Sequence, residues 1–273
     1  MEAAAKQEKL FSYLRSLGSC VLAFSGGLDS TYLLWAACRV LPPERLVAVT
    51  LSTPYTPLWE LWEARETAKH LGVAYLLIVI PRIPPDIRFN PPDRCYRCKR
   101  HLFSLLQQEA QARGLRYVVD GTNADDCQDN RPGMWALREL QIVSPLLESG
   151  ITKDDVHTFS RDAGLPNWEK APCTCLLTRL PVGREIRTEE LARIEASEQY
   201  LRELGFRTVR VRSHNEIARL ELGVPETRRL FTDGLAESVA HVLKDFGYRY
   251  VSVELSGYCS GSMDVAPAQE EAK

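Results

Sequence analysis

SCVLAFSGGLDSTYLLWAACRVL, residues 19–41, is the stretch that decides the fold. Its first six residues, 19–24, form a short apolar run that fits a buried strand. Its last eleven, 31–41, carry apolar residues at helical spacing. Between them lies SGGLDS, residues 25–30, a glycine loop that follows a strand and opens a helix. Gly26 and Gly27 permit backbone angles and a close approach that a Cβ would block. The loop N–H groups and the helix N-terminus then make an anion nest. Ser25, Ser30 and Thr31 add hydroxyl donors. Asp29 would repel a phosphate, and its presence makes sense with Mg²⁺ between carboxylate and phosphates. The plainer reading of the same residues is a strand-to-helix turn capped by Ser and Asp.

Outward from this loop, strand-like runs at 45–51, 73–80 and 117–120 alternate with helical patterns at 58–71 and from Cys95 to about Arg113. A proline-rich loop, PRIPPDIRFNPPD, delivers Cys95 to its helix. This alternation predicts an α/β fold, a doubly wound parallel sheet with right-handed crossovers. Ligands in such sheets sit beyond the carboxyl ends of the strands. SGGLDS, GTNADD (121–126) and the loop before Cys95 all lie at those ends. After about residue 170 the pattern changes to a helix at 188–204, strands at 207–212 and 217–222, a helix near 236–246 and a strand in YRYVSVEL. The expected organisation is a first domain over 1–170, a smaller α+β domain over 171–265 and a disordered tail over 266–273.

Composition is that of a globular chain, with 45% hydrophobic and 26% charged residues. The formal charge of −2, from 34 basic and 36 acidic side chains, argues against a nucleic-acid binder. Residues 179–212 hold eight arginines against six glutamates, too balanced for an RNA cradle. No apolar run reaches membrane-spanning length. MEAAAKQEKLFSYLRSLG reads as an amphipathic helix rather than a signal peptide, so the expected location is the cytoplasm.

Eight cysteines are too few and too scattered for a disulfide framework. Cys20, Cys38 and Cys127 read as small buried hydrophobes. Cys95 and Cys98 form C-x2-C at a helix start, among Arg94, Arg97, Lys99 and Arg100, where the dipole and the charges favour thiolate. C-T-C at 173–175 follows in the linker between the two domains. Three chemistries fit. Zinc would take Cys95, Cys98, Cys173 and Cys175, although a C-x-C pair is cramped on one tetrahedral ion. A [4Fe–4S] cluster held by three cysteines leaves one iron open. Free thiols, one of them a sulfur donor, are the third.

SGGLDS resembles the SGGxDS signature of the PP-loop ATP pyrophosphatases, and GTNADD resembles their later nucleotide-side motif. The resemblance implies cleavage of ATP between the α and β phosphates, with Gly121 and Asn123 near the nucleotide. NPPDRCYRCKRHLF, GTNADDCQDNRPGMWAL, APCTCLLTRLPVG and GYCSGSMD further resemble, in order, successive motifs of the LarE family of sulfur transferases. This resemblance covers roughly residues 15–265. It implies adenylation of a carboxylate of pyridinium-3,5-biscarboxylic acid mononucleotide and its replacement by a thiocarboxylate, in the synthesis of a nickel-pincer nucleotide cofactor. By it, Cys175 is the key cysteine, and Cys95, Cys98 and Cys175 hold the [4Fe–4S] cluster of one family variant. Thr178 stands where the family has serine, and Cys259 where a basic residue is expected. The resemblance also points to Glu198, Arg210 and Arg212. The spacing of RVR puts the two arginines on one strand face, suited to clamping an anion, although a solvated face has the same pattern. Arg131 and Arg179 are further anion candidates. The implied cofactors are ATP and Mg²⁺, and the implied partners are a nucleotide substrate and a sulfide or sulfur donor, with no nucleic acid and no membrane. A homo-oligomer, a hexamer by family resemblance, is expected. Two other functions share these residues: a tRNA thiolase, and a nucleotide-binding regulator with structural zinc.

Overall fold

The computed structural model describes residues 2–127, 132–170, 173–259 and 261–263. Two compact units emerge, one from Met1–Ile83 with Asp93–Cys173, the other from Pro84–Pro92 with Thr174–Lys273.

The first unit runs α1 (Glu2–Leu17), β1 (Cys20–Ala23), α2 (Leu28–Val40), β2 (Leu46–Ser52), α3 (Leu58–His70), β3 (Tyr75–Val79), α4 (Arg94–Ala112) and β4 (Tyr117–Val119). It continues through α5 (Pro132–Glu139), α6 (Pro145–Glu148) and α7 (Lys153–Asp162). All four strands are parallel, in the order β3-β2-β1-β4. A single parallel bridge, Val119 to Val143, extends the sheet beyond β4.

Alternation along the strands explains why both faces are covered. Cys20 and Leu22 of β1, with Leu46 and Ala48 of β2, join a core with Leu10, Leu14, Leu33 and Phe159. Val21, Val47 and Val49 point the other way, into a core with Phe103, Leu106, Met134 and Leu137. A side-chain period of two makes these runs apolar throughout, as a sheet sandwiched by helices requires. The chain leaves β1 toward β2 on one side and reaches β4 on the other, so the switch point lies between the ends of β1 and β4.

The second unit contains α8 (Thr188–Glu203), β5 (Val209–His214), β6 (Ile217–Leu222), α9 (Val224–Leu230), α10 (Leu235–Asp245) and β7 (Tyr250–Val253). β5 pairs antiparallel with β6, and β6 pairs parallel with β7. Leu201 and Phe206 pack with Val209, Val211, Leu220, Val239 and Leu243 to form its core. The proline-rich segment is built into this unit. Asn90 Nδ2 donates to the carbonyls of Leu177, Leu180 and Pro181 at 3.3, 3.1 and 3.0 Å. The Gly183 and Ile186 N–H groups donate back to Asn90 and Arg88. No helix among the described residues is long and apolar enough to cross a membrane. The tail expected over 266–273 lies outside the described residues.

Candidate active site

The glycine loop and the segment after β4 close on each other at the switch point. Gly26 turns the chain at φ +71°, and a Cβ there would stand 2.8 Å from Ala64 Cβ, so only glycine fits. Gly27 caps α2 in an extended conformation, and its N–H donates to Ser25 Oγ at 3.3 Å. The hydroxyls of Ser25 and Ser30 lie 3.0 Å apart, and Ser30 also donates to the Gly27 carbonyl. Asn123 is fully buried, and its Nδ2 donates to Asp29 Oδ1 at 3.0 Å. Its Oδ1 accepts from the N–H groups of Asp125 and Asp126. Gly121 presses on the backbone of Asp29 and Ser30. Ser25, Gly26, Gly27, Asp29, Ser30, Thr31, Gly121 and Asn123 therefore form one constellation.

Burial pushes the Asp29 carboxyl above the ordinary range; the Asn123 hydrogen bond opposes this, and the nearby Asp126 adds to it. A half-buried carboxylate beside this glycine loop is of the type that Mg²⁺ takes, one or two at a time, together with phosphate oxygens.

Two residues of this constellation carry no signal in the sequence reading. Asn167 Nδ2 donates to the Gly26 carbonyl at 3.2 Å and to Thr31 Oγ1 at 2.8 Å. Lys170 Nζ donates to the same carbonyl at 3.1 Å. The ammonium also meets Glu60 at 3.1 Å and Glu63 at 2.8 Å, and sits 5.3 Å from the Trp59 ring centre.

Cys95 sits on the first turn of α4 and is exposed; Cys98 opens the second turn and is half-buried. The buried Tyr55 hydroxyl lies 3.0 Å from Cys98 Sγ. Cys173 and Cys175 are half-buried. Cys175 immediately precedes a turn of 3-10 helix, Leu176–Arg179. Among the described residues no three His, Cys, Asp or Glu side chains stand together as a metal site. Of the cysteines read as hydrophobes, Cys20 is buried and Cys38 half-buried; burial raises both thiol pKa values, that of Cys20 to about 12. The Cys127 side chain and Arg131 lie outside the described residues.

The second unit holds its charged residues in pairs. Arg179 is fully buried and grips Glu198 through two hydrogen bonds of 2.8 and 3.0 Å. Its remaining amino group donates to Thr174 and Thr178 hydroxyls and to the Cys175 carbonyl. Glu198 also accepts the Val211 N–H of β5 at 2.9 Å. Arg210 and Arg212 share a face of β5, as their spacing predicts, and both are buried. Arg212 donates twice to Glu221, at 2.9 and 2.6 Å, and once to the Thr178 carbonyl. Arg210 donates to the Val209 carbonyl and stacks over Tyr258. Glu221 further receives Arg219 and Ser262. This buried face is not the solvated one that the alternation alone would also have allowed.

No family model matches the chain. It is 38% identical over 261 residues to an uncharacterised protein of Synechocystis, covering 95% of this chain and 97% of that one. It is 36% identical over 266 residues to the pyridinium-3,5-bisthiocarboxylic acid mononucleotide synthase of Lactiplantibacillus plantarum, covering 96% and 94%. An NH₃-dependent NAD⁺ synthetase of Hyperthermus butylicus shares 39% identity over 127 residues, 42% of this chain and 45% of its own. The near-complete match to the synthase, together with the parallel sheet and its glycine loop, makes this chain an enzyme of the PP-loop ATP pyrophosphatase type, and it belongs to the LarE family of pyridinium-3,5-bisthiocarboxylic acid mononucleotide synthases.

Proposed function

We propose that this enzyme adenylates a carboxylate of pyridinium-3,5-biscarboxylic acid mononucleotide with ATP and converts it to a thiocarboxylate, releasing AMP and pyrophosphate. The observation that carries the reading is the closed constellation of Ser25–Thr31 with Gly121 and Asn123, in a chain matching the synthase along almost its whole length.

A substrate carboxylate oxygen attacks the α-phosphorus, the bond to the β-phosphate oxygen breaks, and pyrophosphate departs into the loop. Loop N–H groups oppose the charge that develops, and Asp29 would hold a Mg²⁺ ion that would supply further charge stabilisation there. A sulfur nucleophile then attacks the acyl carbon of the adenylate, and AMP leaves with the bonding pair. Cys175 is assigned to this second step. Arg210 and Arg212 are assigned to the anionic groups of the substrate, with Glu221 occupying Arg212 until substrate arrives. Glu198 acts on this site through Arg179, which holds the Cys175 carbonyl.

Cys95, Cys98 and Cys175 are proposed ligands of a [4Fe–4S] cluster. The C-x2-C pair at a helix N-terminus among basic residues supports this assignment. A homo-oligomeric, cytoplasmic enzyme fed by sulfide or another sulfur donor completes the reading.

The test is anaerobic iron, sulfide and zinc analysis of wild type and Cys175→Ala, run beside AMP release with the biscarboxylic substrate. About four irons per chain, lost in the variant, support the cluster. Zinc without iron overturns it. No metal, with Cys175 converted to dehydroalanine after one turnover, makes the cysteine itself the donor. Failure to form AMP and pyrophosphate with the substrate overturns the reaction.

A further inference from the structure

The carbonyl of Gly26 in the nucleotide loop is held by two side chains from outside the loop. It accepts from Asn167 Nδ2 at 3.2 Å and from Lys170 Nζ at 3.1 Å. Both donors lie outside the glycine loop, about 140 residues along the chain, by separations of 141 and 144. Gly26 O and the Gly27 N–H belong to one planar trans peptide, so they point in opposite directions. Fixing the carbonyl on one side therefore fixes the N–H on the other. That N–H is directed at Ser25 Oγ, in the serine pair of the phosphate nest.

Two glycines in succession offer no steric resistance to rotation of the peptide between them. The direction of that peptide must be imposed from outside, and the side chains of Asn167 and Lys170 impose it. Lys170 is itself anchored: only 11% of its side chain is exposed, and its ammonium lies between Glu60 and Glu63. The other Glu60 oxygen, Oε1, is buried without a hydrogen-bond partner. Both carboxylates thus hold the ammonium in place, and the ammonium holds the loop carbonyl. Asn167 is anchored by its second bond, to the buried Thr31 hydroxyl on α2.

We propose that Asn167 and Lys170 are positioning residues for the ATP phosphates, setting the direction of the Gly26–Gly27 peptide so that the Gly27 N–H faces the nest before nucleotide arrives. The inference rests on the ATP-binding role assigned to the loop and deepens it, because neither residue need touch ATP. A positioning residue of this kind acts on binding and on the formation of the adenylate together.

The experiment measures Mg·ATP affinity by titration calorimetry for wild type, Asn167→Ala, Lys170→Met and Lys170→Arg, with the amide resonance of Gly27 followed in the nucleotide-free proteins. Loss of a charged donor predicts affinity weakened at least about tenfold in Lys170→Met. Lys170→Arg is expected within about threefold of wild type, because it keeps the charge and the donor. The Gly27 amide is expected to shift in Lys170→Met and Asn167→Ala before ATP is added. A purely structural role would lower the melting temperature while leaving the affinity of the folded protein and the Gly27 resonance unchanged, and that result overturns the proposal. If Lys170→Met does not fold, Asn167→Ala carries the same two readouts. The assay uses ATP alone. With the biscarboxylic substrate then added, wild type that binds ATP without ever forming AMP sinks the sulfur-transfer reading and leaves this inference intact; variants that bind and adenylate normally sink only the inference.

Discussion

A Cβ placed on Gly121 would stand 2.9 Å from the backbone nitrogen of Ser30, closer than real Cβ contacts allow. The neighbour is backbone at the first turn of α2, which cannot rotate out of the way. Gly121→Ala is therefore expected to cost about 1–3 kcal/mol of stability, the range for forced overpacking. It should also weaken ATP binding, because Ser30 and Asp29 shift together. Urea unfolding and nucleotide titration check both, and wild-type values for both would show that the two segments do not lock.

Asp29 gives a prediction with a sign. Its carboxyl is raised by burial, so the folded protein holds that proton more tightly than the unfolded chain. The stability this contributes is present below the unfolded pKa and fades as pH rises through the folded one. Above that raised pKa the buried charge is a cost. Asp29→Asn should raise the melting temperature of the nucleotide-free protein by a few degrees while abolishing AMP formation. In wild type, Mg·ATP affinity should strengthen as pH rises through the elevated Asp29 pKa, and that dependence should vanish in the variant. A variant that melts lower than wild type at neutral pH would contradict the burial argument.

Breaking the Arg179–Glu198 pair from one side should be worse than removing it. Arg179→Met leaves a carboxylate buried at 3% exposure and is expected to cost about 3–5 kcal/mol. Arg179→Met with Glu198→Leu should recover part of that loss, less the cost of the unpaired Val211 N–H. A double-mutant cycle in denaturant measures it; strict additivity would mean that the two side chains act independently.

Thiol labelling separates the cysteines. In metal-free protein, Cys95 and Cys259 are exposed and should alkylate first. Cys20, buried and with its pKa pushed to about 12, should react only on unfolding. Loading with iron and sulfide should protect Cys95 and leave Cys259 reactive. Equal protection of both, read by mass spectrometry, would count against the assigned ligand set.

The parallel sheet was legible in the sequence because β1 and β2 are buried on both faces and read as unbroken apolar runs. The glycine loop was legible because its chemistry is local. α7 escaped the periodicity reading, although Thr152 and Asp155 carry a capping-box signal, with each side chain bonded to the other's backbone N–H. α9 likewise begins with a proline, Pro225, in its first turn. Asn167 and Lys170 lie in a segment without period, so nothing local marks them. The partner of Arg212 was hidden for another reason. Glu221 faces Arg210 across the β5–β6 ladder and reaches Arg212 diagonally, which only the strand register discloses.

Glu198 does one more thing through its bond to the Val211 N–H. β5 is an outer strand of its sheet, and that N–H points away from β6. A carboxylate from α8 thus blocks a hydrogen-bonding position that a foreign strand would otherwise occupy. Loss of activity in Glu198→Ala then has two separable sources, self-association and damaged chemistry. Light scattering on that variant belongs beside its kinetics, since clumping scales with protein concentration and a chemical defect does not.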